Sequence, residues 1–436
     1  MSLWLQKTVE ELVADKVLAK PLDGNHGSIH PKTSDYVPVG IPFIMASDLL
    51  NGQVDTKGCN FISAEQADKL RKGFAKTGDV LLSHKATIGR VAIVGKIATP
   101  FIMLTPQVTY YRITDPNTLN HRFLYYYFQS RPFLEVLGQW AGAGSTRAYL
   151  GITGQLKLPI ALPPISEQRA IAAVLGALDD KIEVNRKTAA TLEAMARALY
   201  RSWFVDFDPV HARSQGQPPA HMDQTTAALF PNRIGDDGLP EGWANVPIYN
   251  LAKVQYGAPF KSKLFNTEND GRPLVRIRDL KNQRAGVFTT EVSNKEYLIR
   301  PGDTVVGMDG DFTPYTWCAE PSLMNQRVCA FLPLRSEDKA FVRYAIPALL
   351  KAEENAAVAT TVIHLGKKDI DTFQIVDSGE DVRSEFAKIA NPMVEKFVTL
   401  GLQNQTLATL RDTLLPKLMS GELRVGAARK QVGEVV

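Results

Sequence analysis

The chain states one pattern twice. Trp4, Val9 and Leu12 return as Trp243, Ile248 and Leu251, and Pro42, Asp48, Leu49 and Asn51 return as Pro273, Asp279, Leu280 and Asn282. Further along, Gly78-Asp79 returns as Gly302-Asp303, Thr146 with Leu150-Gly151 as Thr361 with Leu365-Gly366, and Asn185 as Asn404. The offset falls from about 239 to about 215 through the Leu150-Gly151 pair and is about 219 at the asparagines, a single slipping register. Chance matches would scatter, so the chain holds two copies of a domain, the second carrying short deletions. Each copy runs into a long apolar stripe at 4-3 spacing. The first comprises Ile171, Leu175, Leu178, Ile182, Leu192, Ala196, Leu199 and Trp203, with Asn185 and Ala189 in the remaining seam positions. The second comprises Phe386, Ala390, Met393, Phe397, Leu400, Leu407, Leu414 and Leu418, interrupted by Asn404 and Arg411. Stripes this long are coiled-coil seams. They most simply pack on each other, with a polar Asn in each seam fixing the register. In an antiparallel pair Asn185 and Asn404 would meet. Pro392 should kink the second helix or delay its start.

Composition narrows the function classes. A chain of 436 residues, 44% hydrophobic, has material for two ordinary cores. Its net charge of +4 neither demands nor excludes a polyanion, because binding depends on where the cations sit. Cys59, Cys318 and Cys329 are too few and too scattered for a disulfide framework or a zinc site, which points to a reducing, cytoplasmic setting. The opening residues show no signal peptide, and no apolar run is long enough to span a membrane.

The expected fold class is α+β. Residues 1–165 form a first globular domain with strands at VLLSH, RVAIV and QVTYYRI and helices near Ala64–Phe74 and His121–Trp140. A helix follows over 166–205, then a Pro- and Gly-rich linker over 206–242 with one short helix near Thr225–Leu229. A second, similar domain covers 243–380 with strands at PLVRIRDL, DTVVGM and RVCAFLP. A second helix covers 381–425, and 426–436 reads as a flexible tail. Two similar domains joined by an antiparallel coiled coil amount to a pseudo-twofold internal repeat.

Catalytic signatures are missing. The adenine-methyltransferase motif, Asn/Asp-Pro-Pro-aromatic, is not met by Asp115-Pro116-Asn117, Asp208-Pro209-Val210 or Asn391-Pro392-Met393. No phosphate-binding G-x-x-x-x-G-K-[ST] loop occurs, and the histidines and cysteines form no ligand cluster. The residues describe a binder, with a coiled-coil scaffold or adaptor that touches no DNA as the alternative and an enzyme fused from two cryptic halves behind it.

The stretch from Gly142 to Val210 (GAGSTRAYLGITGQLKLPIALPPISEQRAIAAVLGALDD…SWFVDFDPV) resembles the central region of the specificity subunit of type I restriction-modification systems. The likeness continues in GDVLLSHKATIGRVAIV, LPEGW, YGAPFKSKLFN and LRDTLLPKLMSGELRV, in the same order and across nearly the whole chain. The resemblance implies two target-recognition domains, each reading one half of an asymmetric bipartite DNA sequence. It implies that the coiled coil sets the gap and docks two adenine-N6 methyltransferase subunits, and that ATP-dependent translocating nuclease subunits join them. S-adenosylmethionine, ATP and Mg would belong to those partners, with no catalytic residue, metal or cofactor on this chain and no membrane involved. One departure is that the counterpart of SHKATIGR in the second domain reads GMDGDFTPYTW, acidic in place of basic.

DNA contact needs cations for phosphates and planar hydrogen-bonding groups for base edges. In the first domain the candidates are His84, Lys85, Thr87 and Arg90 in one turn and Ser145, Thr146 and Arg147 in another. In the second they are Lys261, Ser262 and Lys263, then Arg276, Arg278 and Lys281, with Arg276 and Arg278 on one face of a strand, and Thr360 and Thr361 by the repeat. Tyr315 and Trp317 are candidates for stacking, with core packing favoured. Glu167, Arg169, Asp179, Asp180, Lys181, Arg186 and Lys187 fall on the outer face of the first heptad, where partner subunits could dock.

Overall fold

The computed structural model describes residues 4–142, 148–356 and 363–434. They pack as two compact units, Met1–Lys181 with Leu407–Val436, and Ile182–Thr406. The division falls inside both long helices, Ile165–Phe204 and Glu380–Ser420, so each helix contributes to both cores.

In the first unit a short antiparallel pair, Leu5–Thr8 with Pro159–Leu162, brings the start of the chain to the strand just before the central helix. Among the described residues two further sheets carry the domain. One runs Leu22–Asp23, Val108–Tyr111, Val80–Ser83, Val91–Ile93, Gln53–Val54, Leu49–Leu50. The other runs Tyr36–Val37, Asn60–Ile62, Ile41–Ile44, Ile102–Leu104, Phe74–Ala75. The β-branched and aromatic runs supply the strands because they cover both faces of a sheet buried between layers. The helix expected over His121–Trp140 divides into His121–Gln129 and Arg131–Trp140, because Pro132 has no N–H for the Phe128 carbonyl of an unbroken helix and fits instead in the first turn of a new one, which Ser130 precedes in extended backbone. The second unit repeats the plan with Ala244–Pro247 against Gln374–Asp377, a four-stranded sheet around Thr304–Gly307, and a five-stranded sheet around Arg272–Val275.

The expected linker is part of a core. Phe207 adopts a left-handed backbone (φ 53°), and helices Asp208–Ser214 and Gln224–Ala228 follow it. Val210 and Phe230 are buried in one cluster with Trp203, Phe204, Trp243, Phe341 and Phe386. Phe204 meets Phe341 edge-to-face at 4.9 Å and Phe386 at 5.1 Å, and Trp203 meets Phe230 at 5.1 Å. A few aromatic anchors thus outweigh the Pro- and Gly-rich composition. Most of the terminal stretch expected as a flexible tail is helical instead. Val425–Gly433 is a helix whose Ala428 and Val432 are buried, a stripe too short to stand out in the sequence. Helix Glu380–Ser420 runs through Pro392 without a late start. Pro392 faces solvent, while the preceding Asn391 docks inward, accepting from the Ala340 N–H at 3.1 Å and donating to the Glu337 carbonyl at 2.8 Å.

Within the second unit the two long helices run antiparallel, since Asn185 meets Asn404 and Phe204 meets Phe386. Asn185 is buried and its amide donates to Asn404 Oδ1 at 3.0 Å and Gln403 Oε1 at 2.9 Å. In the first unit Leu175, Leu178, Leu407, Leu414 and Leu418 are buried, and Arg411 pairs with Asp179 at 2.7 Å. Ile182 and Leu400 are buried in the second unit, with Leu192, Leu199 and Phe397 half-buried. Two residues expected on the outer face of the helix are tied to other elements of the first unit, Asp179 half-buried and Asp180 still exposed. Asp179 accepts from the Tyr126 hydroxyl at 2.6 Å as well as from Arg411, and Asp180 receives both ends of the Arg122 guanidinium, at 2.6 and 2.9 Å.

His84, expected as a DNA contact, has no exposed surface. Its Nδ1 lies 3.0 Å from the Leu150 carbonyl, which can only accept, so Nδ1 carries the proton. Nε2 then faces the buried Asp23 carboxylate 4.0 Å away, which is itself bonded to Lys72 and to His26. Burial pushes the His84 pKa down to about 4, against the opposing pull of Asp23.

Two measurements test these cores. An unfolded histidine titrates near 6.5 and folded His84 near 4, so between those pH values the unfolded chain binds a proton that the fold refuses. Stability contributed by neutral His84 is therefore whole above pH 6.5 and lost toward pH 4, by about 3 kcal/mol. Urea melts of His84→Gln should show a correspondingly shallower loss over that window, and an unchanged slope would refute it. Asn185→Ala should cost about 1–3 kcal/mol by leaving the two amide oxygens without a donor. Replacing Asn185 and Asn404 together by Leu should recover that loss in denaturant titrations, and a double variant as weak as the single one would contradict this account.

Candidate nucleic-acid interface

One turn is built twice, hydrogen bond for hydrogen bond. In the first unit strand Val80–Ser83 leaves its sheet through His84, whose N–H donates to the Gln107 carbonyl at 3.0 Å and whose carbonyl accepts from the Leu150 N–H at 3.0 Å. Lys85 bridges to Tyr149, and the Ala86 N–H reaches the Ala148 carbonyl at 3.0 Å. In the second unit strand Thr304–Gly307 leaves through Met308, which donates to the Arg327 carbonyl at 2.9 Å and accepts from the Leu365 N–H at 2.8 Å. Asp309 bridges to His364, and the Gly310 N–H reaches the Ile363 carbonyl at 3.0 Å. Ala86 and Gly310 both take positive φ, 63° and 80°. Glycine adopts that backbone freely, and at Ala86 it carries strain held by the surrounding hydrogen bonds.

The side chains on this shared backbone differ. In the first unit Lys85 is exposed, with its ammonium 5.9 Å from the centre of the Tyr149 ring, and Thr87 is exposed beside it. Arg90 is exposed but anchored, its guanidinium donating to the Ala46 carbonyl at 3.0 Å. Buried His84 lies beneath, its ring 5.7 Å from that of Tyr149, and serves as a support rather than a contact. In the second unit the place of Lys85 is taken by Asp309, whose Oδ1 is 2.7 Å from His364 Nδ1 and whose Oδ2 is 3.6 Å from Arg327 Nε. Asp309 lies in the acidic segment identified above. Arg327 and His364 were not expected, although the offset of 215 that carries Thr146 to Thr361 also carries Tyr149 to His364. Ser145, Thr146, Arg147, Thr360 and Thr361 lie outside the described residues.

Lys261, Ser262 and Lys263 are exposed, in and beside the short turn Ser262–Leu264, and the Lys261 backbone is tied to Glu291 at 2.7 Å. The expectation that Arg276 and Arg278 share a strand face is corrected. The strand ends at Val275, Arg276 caps the short helix Ile277–Leu280, and Arg278 lies within it. Asp279 causes the change by accepting from the Arg276 backbone at 3.0 Å and binding its guanidinium at 2.9 Å, which stops the strand and starts a helix. Arg278 and Lys281 are exposed, whereas Arg276 is half-buried. Trp317 is fully buried, its indole donating to the Glu320 carbonyl at 2.8 Å, so it belongs to the core.

No group of three His, Cys, Asp or Glu side chains among the described residues could hold a metal ion. The cysteine thiols are buried, pushed up to about 11 at Cys59 and about 12 at Cys318 and Cys329 by desolvation, far from nucleophilic use at neutral pH. No helix among the described residues is long and apolar enough to cross a membrane.

Comparison with known proteins agrees with this geometry. The profile of the type I restriction modification DNA specificity domain matches residues 23–194 and 240–376, once in each half of the chain. The chain is 26% identical over 410 residues to the type I restriction enzyme MjaIX specificity subunit of Methanocaldococcus jannaschii, covering 90% of this chain and 89% of that one. It is 25% identical over 450 residues to the HindI specificity subunit of Haemophilus influenzae, covering 88% and 94%. A crystal structure of a type I restriction-modification S subunit from M. genitalium shares the fold, with a TM-score of 0.56 over 96% of both chains at 16% identity. With a twofold match spanning most of its length and two such domains built on one hydrogen-bonding plan, the chain belongs to the specificity subunits of type I restriction-modification systems.

Proposed function

We propose that this chain is the non-catalytic DNA-reading component of its complex, with each unit contacting one half of an interrupted duplex sequence. The observation that carries the reading is the turn at Lys85 and Asp309, one backbone presenting two different sets of polar groups. A retained scaffold with diverged chemistry suits two half-sites of different sequence. The exposed Lys261, Lys263, Arg278 and Lys281 add cations to the second unit for phosphate contact. The seam of the two long helices is the candidate ruler for the gap, and their outward residues, such as Lys187, are candidates for docking two adenine-N6 methyltransferase subunits. S-adenosylmethionine, ATP and Mg would reside on those subunits and on ATP-dependent translocating nuclease subunits, in the cytoplasm.

The direct test is to express the chain with the methyltransferase encoded beside it in a host without DNA methylation and map N6-methyladenine. One interrupted motif that vanishes when this chain is omitted is the expected outcome. A soluble, active, co-purifying methyltransferase that leaves no motif would move the chain to the scaffold alternative. Inserting four residues into each long helix lengthens each by about 6 Å, a little under two base pairs. The gap in the motif should widen by one or two base pairs, and an unchanged gap would remove the helices from the role of ruler.

A further inference from the structure

The second unit places a carboxylate where the first places an ammonium, on a turn that the proposed function sets against DNA. Asp309 alone would repel phosphates there. It is flanked, however, by two groups from the adjoining segments. Arg327 occupies the position of Gln107, the turn residue just before its strand, and His364 the bridge position of Tyr149. The trio of Lys85, Gln107 and Tyr149 has thus become Asp309, Arg327 and His364, with the cation moved one strand across. The Arg327 side chain is 54% exposed, with Nε toward Asp309 at 3.6 Å and Nη1 3.3 Å from His364 Nδ1.

We propose that Arg327 is the duplex-contacting cation of this turn, the counterpart of Lys85 in function though not in position, and that Asp309 and His364 position it. The inference rests on the reading that these turns face DNA. Asp309 holds the guanidinium at Nε, and His364 holds Asp309 through its Nδ1–H, so the end-on fork of Nη1 and Nη2 remains to meet two coplanar acceptors. Those acceptors are either the O6 and N7 of a guanine or two oxygens of a phosphate. Lys85, a point charge on a flexible stem, offers no such fork, so the two turns differ in what they can recognise even where both carry one positive charge.

The test uses the full-length chain assembled with its methyltransferase on a duplex carrying the mapped motif, with affinity measured between about 50 and 200 mM salt. Arg327→Ala should weaken binding about tenfold and make the slope of log affinity against log salt shallower by about one, while Arg327→Lys keeps the slope. Asp309→Asn retains the cation but frees it, so affinity should fall severalfold with the slope unchanged, and Asp309→Glu should restore it. On duplexes with single base changes, a uniform loss for Arg327→Ala assigns the phosphate, and a relaxed preference at one guanine assigns the base edge. Both outcomes support the contact. Wild-type affinity and slope for Arg327→Ala, beside a clear loss for Lys85→Ala, would overturn the assignment and leave the proposed function standing. No effect from either variant, in a complex that still binds the motif, would remove both turns from the interface.

Discussion

The buried amide contact between Asn185 and Asn404 sets the arrangement of the second unit's helices. Leucine seams tolerate sliding, because one apolar contact can replace the next along the stripe. A buried amide does not, since shifting it by a heptad strands its donors and acceptors among side chains that cannot satisfy them. With Asn185 held against Asn404 and Gln403, Phe204 is brought to Phe386 and the aromatic cluster around Trp203 and Trp243 can close. The second domain then fastens to that cluster through Phe331 of strand Val328–Pro333 and Phe341 of helix Lys339–Ala356.

Duplication followed by divergence has left the two domains unequal in chemistry and alike in backbone. At the shared turn the main-chain hydrogen bonds fix where side chains emerge, and the side chains themselves are free to change. The same separation appears beneath the surface. His84 in the first unit is a neutral imidazole packed against a buried carboxylate, and its counterpart in the second is Met308, which fills the space without polar demands. The first domain therefore carries a proton-sensitive support under its turn that the second lacks.

Much of this was legible in the sequence because periodicity and repetition are one-dimensional signals. The twofold plan, both long helices and the strands at VLLSH, QVTYYRI and RVCAFLP follow from spacing alone. What escaped depended on contacts between distant segments. The region after Phe204 has the composition of a linker, and only the burial of Val210 and Phe230 against Trp203 and Trp243 makes it core. The RIRDL segment alternates like a strand, but a single aspartate, Asp279, captures the backbone and side chain of Arg276 and turns it into a helix. Among site residues, the basic turns stood out as charge clusters, whereas Arg327 and His364 are isolated in sequence and gain meaning only beside Asp309. His84 was misread for a related reason, since a histidine next to an exposed lysine gives no sign that its ring points inward.

The first unit joins the beginning of the chain, through Lys181, to its end, from Leu407 onward, while the second is one continuous stretch. On a ribosome this imposes an order. The second unit has every residue it needs before the chain is complete, but the first must wait for the final helical turns to emerge. During that interval Asp179 lacks Arg411. Synthesis of the segment from Leu407 onward is therefore the step that completes the first unit, and a chain cut before it would lose packing in its N-terminal unit rather than in the later one.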